Sequence, residues 1–311
     1  MIEPFRPRWP WIGGHLQTIR NQLVRPRHEL PAGERLWLDL GDGDALGATL
    51  HAHEGTKPLA VLIHGLAGTE ESLYVQATAA HLIDAGFPVL RLNLRGAGPS
   101  QPRCRGQYHA GRSEDLRLAL GRLPDALTGN GLALVGYSLG GNMLLKFLGE
   151  GATPLVRAAA SVSAPIDLAE ASASLAAPRN RIYQSWLLAK MREEALSGPI
   201  NDAEREAVAS ARTVTEFDDR YVAPRNGFAS ASDYYARSSA AQFLPRIAGP
   251  TLLVQASNDP WIPMTAYDAV DWPANPRLTP LFGAGGHVGF HGAGSKIAWH
   301  DRAIVRFFAG V

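Results

Sequence analysis

The sequence predicts an α/β protein with a mostly parallel central sheet, helices on both faces and an inserted helical cap. Three observations predict this class. Short apolar runs alternate with helical patterns from residue 59 to residue 162, and again from residue 251 onward. These runs are continuous, as in strands that are covered on both faces. Between about residues 167 and 247 the alternation gives way to a helical, aromatic pattern.

The elements follow in order along the chain. Residues 1–34 are rich in Pro, Arg and Trp and predict an arm packed on the core. Residues 36–40 and 46–52 alternate in polarity around a glycine-containing turn, which indicates a β-hairpin. The later strands are predicted at 59–63, 89–94, 132–135, 156–162, 251–256 and 277–282. The helices between them are predicted at 70–86, 113–127, 139–149, 265–271 and 297–309.

These elements divide the chain into three parts. We expect an arm at 1–34, a core formed by 35–165 together with 248–311, and a cap at 166–247. The chain has 311 residues, of which 46% are hydrophobic, and this length suits one large domain with an insertion.

Charge, cysteine content and the N-terminal segment indicate which partners and which location to expect. The formal net charge is +1 with both signs scattered, so the sequence indicates no nucleic-acid partner. Cys104 is the one cysteine, and we interpret it as a bystander despite its arginine neighbours. The N-terminus lacks the apolar core of a signal peptide, and no apolar run would span a bilayer. We therefore expect a cytoplasmic location.

The segment around Ser138 carries the strongest functional signal. An apolar run at 132–135 leads into Gly136-Tyr-Ser-Leu-Gly140, and a helical pattern follows. Gly-x-Ser-x-Gly between a strand and a helix is typical of a nucleophile elbow, in which the serine lies at the tip of a strained turn. The glycines are expected because side chains at those positions would crowd the tight crossing.

A serine nucleophile needs a base and an acid that orients the base. In this type of fold the chain order is serine, acid, histidine. Asp259 follows the strand predicted at 251–256, and His287 follows the last predicted strand. Functional residues of open α/β sheets lie at these strand ends. We therefore predict Ser138, Asp259 and His287 as the catalytic residues.

Other residues could fill two of these roles. Asp167 also follows a strand, and it could serve as the acid or orient the cap. His291 and His300 could replace His287, although both lie where the C-terminal helix should begin or continue. The strand order favours Asp259 and His287.

Backbone N–H groups should stabilise the negative charge that develops on a carbonyl oxygen when the serine attacks. The residue after the nucleophile, Leu139, supplies one of them. The loop at 64–68 should supply the other, and we predict the N–H of Leu66. His51 and His53 share a strand face without a carboxylate or thiol partner, so we expect no metal and no other cofactor.

With these residues the chain resembles the α/β-hydrolase superfamily, and more narrowly its YheT-like branch, also called AB hydrolase type 4. The shared blocks are residues 10–19, 64–72, 93–96, 136–142, 163–167 and 286–290. The block at 10–19 is the most specific for the branch. It contains His15, which either packs the arm near the site or forms a hydrogen bond within the core.

The resemblance implies an α/β-hydrolase fold and a Ser-Asp-His esterase or lipase that forms an acyl-enzyme. The substrate would be a small-molecule ester with a short- to medium-chain acyl group, or one of the acylglycerol type. Two alternatives stay open. The same triad could transfer the acyl group to an alcohol, or the scaffold could bind a ligand without catalysis.

The predicted cap leaves a further choice. The side chains of Trp186, Leu187, Leu188 and Met191 could line an acyl channel or form the cap's own core. Peripheral contact with a membrane or lipid surface is compatible with the sequence, because an enzyme of lipid-like substrates needs only an apolar rim.

Overall fold

One eight-stranded sheet organises the computed structural model, which describes residues 3–310. The strand order is β1-β2-β4-β3-β5-β6-β7-β8, antiparallel from β1 to β4 and parallel for the rest. The strands are Glu34–Asp39 (β1), Ala45–His51 (β2), Leu59–Ile63 (β3), Val89–Leu92 (β4), Leu132–Tyr137 (β5), Val156–Val162 (β6), Thr251–Ala256 (β7) and Leu278–Gly283 (β8). The predicted α/β class with a mostly parallel sheet is confirmed.

Helices cover the sheet and fill the insertion between β6 and β7. They are Gly14–Val24 (α1), Leu73–Asp84 (α2), Ser113–Gly121 (α3), Asp125–Thr128 (α4), Leu139–Gly149 (α5), Leu168–Ala176 (α6), Arg181–Ser197 (α7), Asp202–Ser210 (α8), Val214–Phe217 (α9), Ala223–Arg225 (α10), Ala231–Ser238 (α11), Thr265–Asp268 (α12) and Trp299–Phe308 (α13). Short 3-10 turns occur at Gly98–Arg103, Pro178–Asn180, Ala240–Arg246 and Trp272–Ala274, and a π-helical turn at Asp218–Val222.

Several predicted elements differ in the structure, among them the helix predicted at 265–271, which ends at Asp268. The helix predicted at 113–127 is interrupted, because Pro124 has no N–H to continue it and instead lies at the N-cap of α4. The predicted arm contains a helix, α1, that the sequence pattern did not indicate.

The sheet has an apolar core on each face, as its side-chain alternation requires. In β3, Val61 and Ile63 join one cluster, whereas Ala60 and Leu62 join the cluster on the other face. All four side chains are fully buried. Such continuous burial explains why the central strands read as unbroken apolar runs.

The insertion between β6 and β7 is helical throughout, and it packs in two ways. Residues from Leu175 to Tyr221 form a cluster of their own, centred on α7 and α9. Leu168 at the start of the insertion joins the main core, and so do side chains from α11 onward, such as Tyr234 and Leu244. Within residues 3–310, no helix has both the length and the apolar character to cross a bilayer.

Candidate active site

Ser138 lies in the sharp turn between β5 and α5, with φ 49° and ψ −121°. This left-handed conformation is costly for a residue with a side chain. It is held in place because the Ser138 N–H donates to Val162 O at 2.8 Å. A Cβ atom on Gly140 would lie 2.2 Å from His64 O, and one on Gly136 would lie 2.6 Å from Gly140 O. The turn therefore requires both glycines.

Ser138, His287 and Asp259 form a hydrogen-bonded chain. The Ser138 Oγ lies 3.1 Å from His287 Nε2, and His287 Nδ1 lies 2.9 Å from Asp259 Oδ2. Because a carboxylate only accepts, the proton is on Nδ1, and Nε2 is free to accept from the serine. The other carboxylate oxygen accepts from the N–H groups of Trp261 and Ile262 at 2.8 and 3.1 Å.

Helix α1 fixes the loop that carries His287. The Thr18 Oγ1 accepts from the His287 N–H at 2.9 Å and donates to Gly14 O at 2.7 Å. On the other side of the loop, the Ser163 Oγ accepts from the Val288 N–H at 3.1 Å. Val288 has φ 53°, so these two bonds hold a strained backbone in place.

Gln17 adds a second anchor from the same helix. Its side-chain amide donates to His291 O at 3.1 Å and to Trp11 O at 2.6 Å, and its oxygen accepts from the His291 N–H at 2.7 Å. Gln17 is fully buried. Sequence reasoning assigned no role to Gln17 or Thr18, and the available signal was their place in the branch-specific block at 10–19.

Trp261 was also missed. Its ring stacks on the His287 imidazole, with centroids 4.3 Å apart and planes 24° from parallel. The stack covers one face of the imidazole and limits its rotation. The signal for this contact was the position of Trp261, two residues after Asp259.

The backbone around the predicted oxyanion donors is fixed by two tyrosines. The Gly65 N–H donates to the Tyr74 hydroxyl at 2.9 Å, and the Ala67 N–H donates to the Tyr108 hydroxyl at 2.7 Å. The N–H of Leu66 lies between these two bonds. Within the described part of the chain, it has no protein acceptor.

Leu139 presents a second such group. As the first residue of α5, its N–H lies ahead of the helical hydrogen-bond ladder. No protein acceptor satisfies it among residues 3–310. Leu66 and Leu139 therefore both have N–H groups without a protein acceptor, and both residues line the same cavity as Ser138. The N–H of Leu139 also lies at the positive end of the α5 dipole.

Ser138 opens into a cavity of about 800 Å³ whose lining comes from the helical insertion, from α1 and from the loops at the strand ends. Trp186, Leu187 and Met191 of α7 line it. Leu187, Leu188 and Met191 also belong to the insertion's own apolar cluster. Leu187 and Met191 thus belong to both the cluster and the cavity wall, whereas Trp186 lines only the cavity and Leu188 packs only in the cluster. That the cavity holds an acyl chain stays a prediction.

Two of the carboxyl groups in the cavity wall accept hydrogen bonds from tyrosine hydroxyls. The Tyr108 hydroxyl donates to Glu194 Oε2 at 2.9 Å, and the Tyr235 hydroxyl donates to Asp218 Oδ2 at 2.7 Å. Burial raises the pKa of Glu194 to about 7 and the pKa of Asp218 to about 7, because the charged form loses hydration. The cavity therefore contains polar groups that are largely uncharged below neutral pH.

The competing residues have other surroundings. Asp167 begins α6, where its carboxylate accepts from the Glu170 N–H at 2.9 Å as a helix cap. His291 is buried, and burial lowers its pKa to about 3. His300 is buried in α13 beside Asp301. Neither histidine contacts Ser138.

The remaining candidates lie outside the hydrogen-bonded chain. His15 pairs with the Tyr183 hydroxyl at 2.9 Å on the surface. The Cys104 thiol is buried, and burial raises its pKa, which disfavours a reactive thiolate. The Arg91 side chain donates to His51. Among residues 3–310, no cluster of three or more His, Cys, Asp or Glu side chains could hold a metal ion.

Comparison with known proteins places this geometry in a family. The family model described as the alpha/beta hydrolase fold matches residues 58–293. The protein named "Putative esterase YheT" of Escherichia coli (strain K12) is 35% identical over 304 residues, covering 93% of this chain and 87% of that protein.

A second relative and a solved structure extend the comparison. The medium-chain fatty acid ethyl ester synthase/esterase 2 of Saccharomyces cerevisiae is 29% identical, covering 81% of this chain and 62% of that protein. An esterase of Pyrococcus furiosus superposes with a TM-score of 0.63 at 14% identity, covering 100% of this chain and 98% of that chain, and so shares the fold. The chain therefore belongs to the α/β-hydrolase superfamily, as an esterase-like member of its YheT-like branch.

Proposed function

We propose that this protein is a serine carboxylic ester hydrolase that acts through Ser138, His287 and Asp259. The observation that carries the proposal is the chain of two hydrogen bonds, 3.1 Å from Ser138 to His287 and 2.9 Å from His287 to Asp259. A serine hydroxyl is a weak nucleophile until a base accepts its proton, and this chain supplies that base.

In the first half of the reaction, His287 Nε2 takes the Ser138 proton while Oγ attacks the ester carbonyl. Asp259 stabilises the imidazolium that forms and keeps the proton of Nδ1 in place. The tetrahedral intermediate then collapses, and His287 gives its proton to the leaving alcohol. The acyl group stays on Ser138 as an ester.

The negative oxygen of the intermediate needs donors that are already in place. The unused N–H groups of Leu66 and Leu139 support this role. Each donor would contribute about 3 kcal/mol of transition-state stabilisation. The Tyr74 and Tyr108 hydroxyls keep the loop of Leu66 from turning away.

In the second half, His287 removes a proton from water, which attacks the acyl ester and releases the acid. Ser138 regains its proton from His287. No metal or cofactor enters any of these steps.

The cavity supports a substrate class. Its apolar α7 wall, with Leu187 and Met191, suits an unbranched acyl chain. Its polar groups suit an ester whose alcohol carries hydroxyls, as in an acylglycerol. We therefore propose short- to medium-chain or acylglycerol-type esters as substrates.

The test is hydrolysis of p-nitrophenyl esters of increasing acyl length. We expect turnover that peaks at one chain length, and a Ser138→Ala variant that folds normally but loses almost all turnover. A fluorophosphonate probe should label the wild type, and peptide mapping should place the label on Ser138. Label on another serine would overturn the assignment.

A matched control uses Ser210→Ala, which removes an exposed serine at the end of α8. This variant should keep full turnover and full labelling. Substantial hydrolysis by Ser138→Ala, with that control normal, would contradict the serine mechanism. A folded wild type that neither labels nor hydrolyses any ester would favour the non-catalytic alternative.

The second candidate function is acyl transfer, in which the same acyl-enzyme passes its acyl group to an alcohol instead of water. It is favoured by the apolar cavity and by similarity to a yeast protein named as an ethyl ester synthase as well as an esterase. Adding ethanol or glycerol to the assay and analysing the products separates the two. New esters in place of free acid would show acyl transfer to the alcohol.

A further inference from the structure

Helix α1 has an unusual orientation for a helix at the surface of a globular protein. Its buried residue is Gln17, whereas Leu16 is 41% exposed and Leu23 is 64% exposed. Helices normally turn their apolar stripe inward and their polar residues outward. The hydrogen bonds of Gln17 with the His291 backbone set this orientation, so the exposed leucines are a consequence of how the site is built.

The start of α7 continues the same apolar surface. Ile182 is 84% exposed and Trp186 is 44% exposed. The two helices meet where His15 Nδ1 pairs with the Tyr183 hydroxyl at 2.9 Å. Leu23, Ile182 and Trp186 also line the cavity of Ser138, so they stand at its opening. We call Leu16, Leu23, Ile182 and Trp186 the apolar rim.

Basic residues outnumber acidic ones around the apolar rim, although Glu29 and Glu193 border its two segments and Glu71 and Glu194 line the cavity. Residues 4–28 and 171–192 contain nine of the 30 basic residues of the chain and none of its 29 acidic residues. The rest of the chain is therefore acidic on balance. Arg25, Arg179 and Arg181 are exposed in these two segments and form no ion pair among residues 3–310, whereas Lys190 pairs with Glu193 at 2.7 Å.

We propose that the apolar rim docks on an anionic lipid surface. Exposed leucine, isoleucine and tryptophan side chains enter the boundary between headgroups and acyl chains, and the surrounding cations contact the negative headgroups. The cavity would then open directly onto the lipid. This inference goes beyond the proposed function, since adsorption to a surface requires no turnover.

The same charge argues against a second copy of the chain as the partner. A symmetric pair joined through this face would bring the exposed Arg25, Arg179 and Arg181 of one copy towards those of the other. Like charges in such contact are unfavourable. An anionic bilayer supplies the opposite charge and an apolar interior at the same time.

Vesicle flotation tests the proposal with the full-length protein. We expect the wild type to float with vesicles of phosphatidylcholine and phosphatidylglycerol. With vesicles of phosphatidylcholine alone, it should remain in the bottom fraction. Binding should weaken as salt is added, because screening removes the headgroup attraction. A wild type that does not float with the anionic vesicles at low salt would overturn the proposal.

Two variants test the two contributions separately. Arg25→Glu/Arg181→Glu should lower the partition coefficient on anionic vesicles by roughly tenfold or more, since each cation near the surface contributes to binding. Leu23→Ser/Ile182→Ser should lower it by a similar factor through lost apolar burial. Equal binding by wild type and both variants would overturn the proposal.

The matched controls lie at the start of β6, at the sheet edge opposite the strand ends that carry Ser138. Leu155→Ser and Arg157→Glu change an exposed apolar and an exposed basic residue there, and both should bind like the wild type. Ser138→Ala should also float normally, which separates this proposal from the catalytic one.

Self-association of the wild type in sedimentation, with no vesicle binding, would assign the face to a second copy and reject the lipid partner.

Discussion

Two aspartates that both follow strands have different tasks, and their hydrogen bonds explain why. Asp259 accepts from His287 with one oxygen and from two backbone N–H groups with the other. Asp167 accepts from the N–H of Glu170 and caps a helix. The chemistry of a carboxylate is the same in both places, so its neighbours decide what it does.

Replacing Asp259 by Asn should lower kcat by about 10⁴-fold, because an amide that donates to Nδ1 favours the wrong tautomer of His287. Steady-state hydrolysis of a soluble ester measures this effect. Asp167→Asn is the control, and it should stay close to wild type because Asn caps helices as well as Asp does. A larger loss from Asp167→Asn than from Asp259→Asn would show that the acid is misassigned.

Asp218 should make the stability of the fold depend on pH. Burial raises its pKa from 3.8 to about 7 in the folded protein. Between these values the folded state binds more protons than the unfolded chain, so the free energy of unfolding falls as pH rises. Asp218→Asn should remove a contribution on the order of 2–4 kcal/mol to this fall.

Urea unfolding of wild type and variant at the two ends of that pH range measures the contribution of Asp218. Asp219→Asn, which makes the same substitution at the exposed neighbour, provides the control. If Asp218→Asn and wild type lost the same free energy of unfolding over this range, the carboxyl of Asp218 would be ionised in the fold at mildly acidic pH.

At the level of elements, α1 is part of the site although it lies far from the elbow in sequence. Thr18 holds the His287 backbone, and Gln17 holds the backbone of His291. The helix therefore acts through His287 as a positioning element. The residues of α1 that make these contacts are polar, which explains why the helix cannot be predicted from an apolar pattern.

Thr18→Val should lower kcat by roughly ten- to a hundredfold with little change in KM, because a misplaced base weakens the transition state more than substrate binding. Valine keeps the shape of threonine and removes the acceptor for the His287 N–H. Thr18→Ser restores that acceptor and should recover most of kcat. A Thr18→Val variant with wild-type kcat would show that Ser163 alone is enough to hold the loop.

The sequence predicted the central elements well. β3, β6, β7 and α5 have the predicted bounds, since strands covered on both faces leave unbroken apolar runs and the elbow marks the start of α5. It also supplied Ser138, Asp259 and His287, which the structure brings together. Their catalytic roles stay a prediction.

What the sequence missed depends on contacts between distant residues. No local sequence pattern predicts the stack of Trp261 on His287 or the hydrogen bond from Tyr108 to Glu194. The same holds for α1, whose apolar residues face outward. The boundaries of the cap at 166 and 247 stay a prediction, because the last part of the insertion packs on the main core.

At the level of the whole molecule, the apolar residues form two large clusters on the sheet and a smaller one in the insertion. The sheet clusters share β3, β5 and β6, which are buried on both faces. The cluster of α7 to α9 has one exposed side and borders the cavity. Stability should therefore differ between these parts.

Hydrogen exchange should reveal this difference. We expect amides of α7 to α9 to exchange through local opening, at a lower free energy than amides of β3 and β5, which should need global unfolding. Exchange followed by mass spectrometry at peptide resolution measures both. Equal protection of α7 and β5 peptides would mean that the insertion and the sheet open as one unit.

The pairing of Gln17 with His291 joins residues 274 positions apart, and this has a consequence for the order of folding. During synthesis, α1 leaves the ribosome long before the loop that it must hold. The sheet and the elbow can form while residue 17 still lacks its partner. His287, the base that we propose for Ser138, lies on the same late loop, so under the proposed function the growing chain would carry a serine that no base can yet activate.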